Sequence, residues 1–287
     1  MPIDISKSYR VPFVNSPFYN SLKKDFYDSE FSSYADSLNE NGYAIIDLEI
    51  DSEIIDRANE DIQNQIDKNT IKTNSKAYHY NSSPRIVEAW KFSESIKKIV
   101  KNNKLINTLR YCYQSEPIPF STINFLKGTE QPLHSDEIHF GSIPHGYLTG
   151  CWIALEDIHE DSGPLAIGVR SHKLPLFSYE SIGLDIPKTE RELKQAYTLY
   201  EEWAKKIMDD NNIEIKELPI KKGQCIIWLS NLLHGAFSIK NKNLSRKSMA
   251  IHFHYEKCEK IFFPSYSNLE KGKFIYRSLN DLDIRKN

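Results

Sequence analysis

Apolar residues in the N-terminal third of the chain recur mostly at the spacing of helices. Residues 51–67 carry apolar side chains at positions 54, 55, 58 and 62, which predicts a helix that begins at Asp51 or Ser52. The same spacing predicts a second helix over residues 93–113. A short apolar and β-branched run at residues 42–48 (GYAIIDL) predicts a buried strand in front of both helices.

The pattern changes after about residue 115, where short apolar runs alternate with turn residues. Five runs predict strands, at residues 120–126, 147–155, 165–169, 224–229 and 247–255. A charged, helix-forming stretch at about residues 189–210 interrupts them and predicts an inserted helix that covers a pocket mouth. Short strands at such intervals favour a sandwich or barrel.

These patterns predict a single domain over residues 1–287 that is mainly β with flanking helices. Its N-terminal part, about residues 1–114, is expected to be helical after an irregular lead-in at residues 1–40. The β-rich core is expected over about residues 115–260. No internal repeat and no clear linker divides the chain, which favours one domain over two.

The charge balance argues against one class of partner. The 287 residues include 37 Lys and Arg against 39 Asp and Glu, and this net charge of −2 lacks the positive excess of a nucleic-acid binder. Hydrophobic residues make up 40% of the chain, which is enough to fill a sizeable core.

The spacing of the cysteines and the absence of long apolar runs indicate in which cellular compartment we expect the protein. Cys112, Cys151, Cys225 and Cys258 are far apart, so neither a zinc ribbon nor a disulfide scaffold is indicated. The N-terminus has no apolar segment of signal-peptide length, and no run approaches the roughly 18 residues of a membrane helix. We therefore expect a protein of a reducing compartment, most simply the cytoplasm, without a membrane partner.

The residues best suited to form a functional site lie in the segment LHSDEIHF. His134 and Asp136 are two residues apart, so on an extended segment their side chains face the same side. His234 follows a strand-like run one hundred residues later, and Arg246 precedes another. Two histidines and one carboxylate are the ligands of the facial triad that binds non-haem Fe(II). A neighbouring arginine could hold a dicarboxylic co-substrate bidentately.

Each of these features also has a simpler interpretation. A single His-x-Asp pair is frequent by chance and could be a surface turn; the ordered set carries the interpretation. The remaining candidate histidines are interpreted as surface or packing residues, namely His139, His145, His159, His172, His252 and His254.

The ordered set resembles the phytanoyl-CoA dioxygenase family of Fe(II)- and 2-oxoglutarate-dependent oxygenases. The resemblance covers about Tyr43 to Tyr255 and is densest at residues 124–172. Residues 150–175 (GCWIALEDIHEDSGPLAIGVRSHKLP) are similar to the family's tryptophan strand, acidic turn, Gly-Pro-Leu strand and Ser-His-Lys turn. Gly223 and the strand after it fit the family's second half. The resemblance implies a double-stranded β-helix core, which is a jelly roll of the cupin type.

The resemblance also implies roles for individual residues. His134, Asp136 and His234 would be the iron ligands, and Arg246 would pair with the far carboxylate of 2-oxoglutarate. Trp152 would line the co-substrate pocket. The implied cofactors are Fe(II), the co-substrate 2-oxoglutarate and O₂.

Two further residues match the family more loosely. Arg85 falls where the family often has a basic residue that reaches 2-oxoglutarate, and Asn124 is expected to point into the same pocket. Simpler interpretations remain, because Trp152 could be plain core and Arg85 could pair with Glu88 on a helix face.

The sequence departs from the family's pattern at two places. The family often has a hydroxyl residue two positions after the distal histidine, where this chain has Ala236; Ser238 could substitute for it. The family's Pro-Gly-Ser-His turn reads Gly-Val-Arg-Ser-His at residues 168–172, so that turn is expected to differ in shape. Asp136 occupies the position that halogenating relatives leave open for chloride, which favours hydroxylation or a related oxidation.

We therefore expect an oxygenase that hydroxylates an unactivated C–H bond of a small molecule and releases succinate and CO₂. Two alternatives remain open: a non-catalytic ligand-binding jelly roll, and a zinc hydrolase that uses the same three ligands. The sequence does not indicate the oligomeric state. Candidate substrate contacts are Tyr78, His79, Tyr80, His139, Phe140 and Tyr147.

Overall fold

Helices come mostly before strands along the chain. The computed structural model describes residues 11–25, 30–68, 85–175, 178–185, 187–267, 271–278 and 283–286. The helices are α1 (Tyr19–Leu22), α2 (Ser32–Asn41), α3 (Ser52–Asp67), α4 (Glu94–Val100), α5 (Asn103–Tyr113) and α6 (Glu190–Asp210). The strands are β1 (Tyr43–Asp47), β2 (Arg85–Val87), β3 (Pro117–Phe125), β4 (Gly141–Ile143), β5 (Leu148–Ala154), β6 (Leu165–Gly168), β7 (Ile215–Leu218), β8 (Gln224–Leu229), β9 (His234–Ala236), β10 (Ser248–Tyr255), β11 (Lys260–Phe262) and β12 (Tyr276–Arg277).

Two antiparallel sheets form a sandwich. The main sheet has six strands in the order β1–β8–β5–β10–β3–β2, and the second has the order β7–β6–β9. They share an apolar cluster to which Trp152 and Ile226 contribute from the main sheet and Leu165 and Leu218 from the second sheet. A small third sheet has the order β12–β11–β4. The predicted fold class, mainly β with flanking helices, is confirmed.

The main sheet is covered on both faces, which explains its continuous apolar strands. Every residue of β5 and of β10 is buried. Met249, Ile251 and Phe253 belong to the core that includes helices α2 to α5, whereas Ala250 belongs to the cluster between the sheets. Side chains alternate along a strand. The odd-numbered residues of β10 therefore pack into the core under the helices, and the even-numbered residues face the second sheet.

Two of the helical predictions need correction. The predicted helix over residues 93–113 is interrupted between α4 and α5, because Asn102 adopts an extended conformation and its side chain accepts a hydrogen bond from the amide of Leu105. The lead-in at residues 1–40 was expected to be irregular but contains α1 and α2. Ala35 and Leu38 of α2 are fully buried, so tertiary packing stabilises a helix with weak local propensity.

The expected division near residue 115 falls inside the main sheet. β1 pairs with β8 at one edge, and β2 pairs with β3 at the other. Both edge strands therefore come from the part of the chain that was expected to be mainly helical; the strand at residues 42–48 was predicted, whereas β2 was not. Hydrogen bonds to strands far away in sequence hold them there, which local patterns do not reveal.

Two further observations concern the state of the cysteines and the length of the helices. All four cysteines are buried free thiols. Among the described residues, no helix has both the length and the apolar composition needed to cross a bilayer.

The Gly-Val-Arg-Ser-His turn fastens the start of β9 to α2. The Ser171 hydroxyl donates to the carbonyl of Gly168 at 2.7 Å and accepts from the amide of Leu233 at 2.8 Å. His172 Nε2 donates to the carbonyl of Asn39 in α2 at 3.1 Å. The turn therefore fixes the residue that directly precedes His234.

The buried imidazole of this turn predicts a pH-dependent stability. Burial lowers the pKa of His172 from 6.5 to about 4. Between these pH values, therefore, this imidazole is protonated in the unfolded chain and neutral in the folded chain. The free energy of unfolding should therefore fall as the pH falls from 6.5 towards 4, by at most about 1.4 kcal/mol per pH unit for this group. His172→Gln, which keeps an N–H donor, should flatten that dependence in urea unfolding at pH 7, 6 and 5.

His159→Gln is the matched control, because the His159 side chain is 55% exposed. Its unfolding free energy should follow the wild-type pH dependence. An equal pH dependence in wild type and His172→Gln would show that His172 does not couple folding to protonation.

Candidate functional site

Two distant segments of the chain meet at an isolated β-bridge between His134 and His234. The amide of His134 donates to the carbonyl of His234 at 2.9 Å, and the reverse bond measures 2.8 Å. Asp136 lies two residues after His134, at the start of the 3-10 turn Asp136–Ile138. One ligand atom from each of the three side chains lies within 4.8 Å of the other two, and all three residues are buried. The structure therefore brings the three predicted ligands to one point.

Each imidazole is oriented by a hydrogen bond to a nearby carbonyl. Nδ1 of His134 lies 3.0 Å from the carbonyl of Pro132, and Nδ1 of His234 lies 3.0 Å from that of Leu232. Because a carbonyl only accepts, Nδ1 carries the proton and Nε2 keeps its lone pair. Burial lowers the pKa of both imidazoles, so both rings are neutral at neutral pH. Both are then in the form that binds a metal ion.

The Asp136 carboxylate is held from two sides. Its Oδ2 accepts a hydrogen bond from the indole Nε1 of Trp228 at 2.8 Å. Its Oδ1 lies 3.5 Å from Nε2 of His252 and 3.7 Å from Nε2 of His234. Burial alone would raise the pKa of this carboxyl, but the facing imidazoles of His252 and His234 outweigh burial and hold it well below its usual range. Asp136 is therefore an anion.

Two glycines permit the close packing at this point. A Cβ on Gly235 would lie 2.6 Å from the carbonyl oxygen of Gln131 and 2.9 Å from the backbone of Pro132, so a side chain there would force the two segments apart. A Cβ on Gly150 would lie 2.2 Å from the ring of Trp228. Glycine at 150 thus lets the indole lie against β5 and reach Asp136.

Arg246 lies beside this centre, just before β10. It is 2% exposed, and its Nη1 donates to the carbonyl of Gly163 at 2.6 Å. Its Cζ lies 5.3 Å from the ring centroid of Trp152. Burial lowers its pKa to about 10, which leaves it positively charged at neutral pH. Among the described residues it has no carboxylate partner and its Nε has no hydrogen bond, so the site favours an anionic ligand.

Arg85 begins β2 and lines the same cavity. Its Nη2 donates to Oε1 of Gln131 at 2.8 Å, and the amide nitrogen of Gln131 lies 3.2 Å from Nε2 of His134. The alternative in which Arg85 pairs with Glu88 on a helix face does not describe this structure. Arg85 lies in a strand, and the Glu88 carboxylate accepts from Lys91.

The expectation that Asn124 points into the pocket is wrong. Its neighbours Ile123 and Phe125 line the cavity, and side chains alternate along β3, so Asn124 faces the other side of the sheet. It pairs in register with Met249, a residue of the helix-side core. Asn124 is fully buried there.

Two other expected contacts lie outside the cavity. Tyr147 is buried in the helix-side core, where its hydroxyl donates to the carbonyl of Val11 at 3.3 Å. Ser238 is exposed and does not line the cavity, so it does not replace the hydroxyl that Ala236 lacks. Thr129 is the threonine that lines the cavity, and its hydroxyl accepts a long hydrogen bond from the amide of Gln131 at 3.5 Å.

The three ligands and both arginines share a cavity of about 350 Å³. Of the candidate substrate contacts, His139 and Phe140 line it, whereas Tyr78, His79 and Tyr80 lie outside the described residues. Its remaining aromatic walls are Phe125, Trp152, Tyr179, Tyr197, Trp228, Phe263 and Tyr266.

Helix α6 covers one side of the cavity and contacts the loop that carries two of the ligands. The Tyr197 hydroxyl lies 3.3 Å from the amide nitrogen of Gln131 and 3.3 Å from Nε2 of His139. The Tyr200 hydroxyl accepts from the amide of Ser135 at 3.2 Å. The inserted helix is thus packed against the ligand loop as well as over the cavity.

Sequence reasoning missed four residues that shape the site, namely Gln131, Tyr197, Trp228 and His252. His252 was interpreted as a packing histidine, although a usable signal was present. It lies six residues after Arg246, and an even spacing along an extended segment directs both side chains to the same face. Nothing in the sequence marked Trp228 or Tyr197, because their roles depend on strands and helices that meet only in the fold.

The donor set fits a metal ion of the non-haem iron type. Two neutral imidazoles and one carboxylate place their ligand atoms within 4.8 Å of one another, and all three residues line the cavity. The buried guanidinium of Arg246 adds a partner for a carboxylate on a second ligand.

The two facing antiparallel sheets form a double-stranded β-helix, or jelly roll, which solved structures share. One is the non-haem α-ketoglutarate-dependent carbocyclase SnoK from nogalamycin biosynthesis, at 12% identity and a TM-score of 0.63, covering 82% of this chain and 86% of that chain. Another is the epimerase SnoN in complex with Fe³⁺, α-ketoglutarate and nogalamycin RO, at 13% identity and a TM-score of 0.59, covering 88% and 96%. The predicted jelly-roll core is confirmed.

Within this fold class, the chain belongs to the phytanoyl-CoA dioxygenase (PhyH) family, whose model matches residues 36–248. One curated relative is the peroxisomal phytanoyl-CoA dioxygenase of Bos taurus, which is 27% identical over 147 residues, or 50% of this chain. That match covers 40% of the bovine protein, and the match to the mouse protein covers 36%. The chain thus spans about two fifths of the length of these relatives.

Glycine 235 provides a direct test of the packing at the bridge. Gly235→Ala should push β9 away from the backbone of Gln131 and weaken Co(II) binding by at least about tenfold, because ligand sets tolerate little displacement. Isothermal titration calorimetry with Co(II) measures the change. The adjacent Ala236→Gly adds no atom and should bind Co(II) as wild type does. Wild-type affinity in Gly235→Ala would contradict this account of the bridge.

Proposed function

We propose that this protein is an Fe(II)- and 2-oxoglutarate-dependent oxygenase that hydroxylates an unactivated C–H bond of a small molecule. The observation that carries the proposal is the pairing of the His134, Asp136 and His234 cluster with the buried cation of Arg246 in one cavity. The family, the similarity to the α-ketoglutarate-dependent carbocyclase SnoK and the similarity to SnoN in complex with Fe³⁺ and α-ketoglutarate support the same cofactors.

Each residue has a distinct role in this proposal. His134, Asp136 and His234 hold Fe(II), and Arg246 binds the far carboxylate of 2-oxoglutarate while Trp152 packs against its guanidinium. Arg85 contributes positive charge to the same cavity. An arginine suits this task because it stays charged when buried and presents a planar fork to a carboxylate.

The protein's contribution to catalysis is positioning and exclusion of water. Bound iron and 2-oxoglutarate would supply the oxidation, in which O₂ yields one hydroxyl oxygen for the substrate and succinate and CO₂ are released. The hydrogen bonds of Trp228, Pro132 and Leu232 hold the three ligands in fixed orientations. The aromatic walls and α6 keep the site dry and hold the substrate beside the metal.

The substrate is proposed to be a small molecule. The cavity of about 350 Å³ is near the lower end of the range for ligand pockets, roughly 300–1,000 Å³, and 2-oxoglutarate takes up part of it. His139 and Phe140 are proposed to contact the substrate. The cavity offers little room for a group as large as coenzyme A within its walls.

The reaction type needs its own test, because the solved relatives include a carbocyclase and an epimerase. A substrate screen that follows succinate formation identifies the substrate. In ¹⁸O₂, hydroxylation puts one labelled oxygen into the product, whereas ring closure or epimerisation puts in none. A product without label would contradict hydroxylation and leave the oxygenase assignment intact.

Loss of the carboxylate ligand tests the metal site. Anaerobic addition of Fe(II) and 2-oxoglutarate should give the weak visible charge-transfer band of the chelate, and Asp136→Ala should abolish both this band and iron-dependent succinate formation. A zinc hydrolase or a non-catalytic jelly roll would give no such band at saturating Fe(II). Succinate formation without added substrate further separates an enzyme from a binding protein.

Loss of the buried cation tests the co-substrate site. Arg246→Gln should weaken 2-oxoglutarate binding by about 2–5 kcal/mol, which is roughly 30-fold to several thousand-fold, because it removes one partner of a buried charge pair. Titration of the charge-transfer band with 2-oxoglutarate measures this, while Co(II) affinity should not change. Arg170→Gln, at an exposed ion pair with Glu40, is the control. The role of Arg246 is falsified if 2-oxoglutarate affinity is equal in Arg246→Gln and wild type.

A further inference from the structure

His252 is a buried histidine beside the metal site that the proposed function does not use. It is 6% exposed and lies in β10, opposite Gly150 of β5 and Ser121 of β3. These two cross-strand neighbours are small, which leaves space for an imidazole on the cavity face of the sheet. His252 lines the cavity together with Asp136.

A β-bulge fixes the surroundings of this ring. The register between β10 and β3 shifts between His252 and Phe253, which leaves Phe120 as the extra residue of β3. The ring of Phe120 lies 6.2 Å from that of His252, and the ring of Phe140 lies 5.4 Å from it. The imidazole therefore packs beside two aromatic rings, which also contact each other and offer it no strong hydrogen-bond acceptor.

The polar contact of His252 within the described chain is with Asp136. Its Nε2 lies 3.5 Å from Oδ1, and its Nδ1 has no hydrogen-bond partner among the described residues. Burying a polar ring in an apolar cage is unfavourable unless a partner compensates for the lost water. The carboxylate is the partner that accounts for a histidine at this position.

His252 does not belong to the ligand cluster itself. Among the described residues, the group whose ligand atoms all lie within 4.8 Å of one another consists of His134, Asp136 and His234. His252 thus lies near the Asp136 carboxylate, but its ring nitrogens are not close to the ligand atoms of both His134 and His234. Its geometry suits a donor to the ligand rather than a fourth ligand.

The two carboxylate oxygens then have separate donors. Trp228 donates to Oδ2 at 2.8 Å, and Nε2–H of His252 faces Oδ1. A carboxylate oxygen has two lone pairs, so Oδ1 can accept from His252 and still bind a metal ion. Donors on both oxygens prevent rotation of the carboxylate and favour binding through Oδ1 alone.

We propose that His252 is a positioning residue that, together with Trp228, fixes the Asp136 carboxylate for metal binding through one oxygen. This inference rests on the metal site of the proposed function, and it adds a residue to the three proposed ligands. Partners that orient metal ligands typically contribute about 10- to 100-fold to metal affinity.

The test compares side chains with and without an N–H donor. His252→Phe keeps a ring but removes the donor, and should lower Co(II) affinity about 10- to 100-fold and alter the Co(II) d–d absorption spectrum. His252→Gln retains an N–H that can reach Oδ1, and should restore most of the affinity and the wild-type spectrum. His254→Phe is the matched control, because His254 is buried in the same strand but does not line the cavity.

Thermal unfolding of each metal-free variant separates loss of the donor from loss of the fold. If His252→Phe does not fold, His252→Asn replaces it, since its shorter amide cannot span the distance, and it should bind Co(II) as weakly as expected for His252→Phe. Wild-type affinity in the donor-less variant, or equal losses in His252→Gln and the donor-less variant, would overturn the positioning role. Failure of wild type to bind Co(II), or binding that Asp136→Ala does not reduce, would instead overturn the metal site on which this role rests.

Discussion

The backbone bridge between His134 and His234 is the constraint on which the rest of the structure depends. It joins a loop that follows β3 to the start of β9 through two hydrogen bonds, although one hundred residues separate the two positions. Gly235 permits this approach, and Ser171 fixes the amide just before His234. The imidazoles are then oriented by carbonyls of the same two segments. Ligand geometry in this protein is therefore a property of backbone pairing, and side-chain packing only refines it.

The alternation of β10 connects the stability of the fold to its chemistry. Met249, Ile251 and Phe253 pack into the core under the helices, while Ala250 and His252 face the cavity. Because the period of a strand is two, a register error of one residue would bury the polar residues in the apolar core and expose the apolar ones to the cavity. The apolar face thus enforces the register that places His252 beside Asp136. The same core that stabilises the sheet also fixes the cavity side chains.

The sequence allowed prediction of features that depend on local geometry. Helix α3 follows from apolar spacing, helix α6 from a charged, helix-forming stretch, and the central strands from short apolar runs. The convergence of His134 and Asp136 follows from the two-residue period of an extended segment. The features that were wrong or missed depend on distant contacts. Alternation shows that Asn124 and Phe125 face opposite sides of β3, but only pairing with β10 decides which side is the cavity. The edge strand β2 was likewise not predicted because pairing with β3 fixes it, and α2 because it depends on burial of residues such as Leu38.

Helix α6 was expected to act as a lid, and its contacts define which part of it can serve that purpose. Tyr200 is fully buried and contacts Ser135, which lies between two ligands, and Met208 packs with Leu233, which precedes the third. Opening this half of the helix would expose apolar surface and remove support from the ligand loop. We therefore expect this half of α6 to stay packed against the ligand loop. The first turns differ, because Glu190 is exposed and Lys194 is half-buried at the cavity wall. The N-terminal end of α6 therefore constrains the metal ligands less than the half that contains Tyr200 and Met208 does.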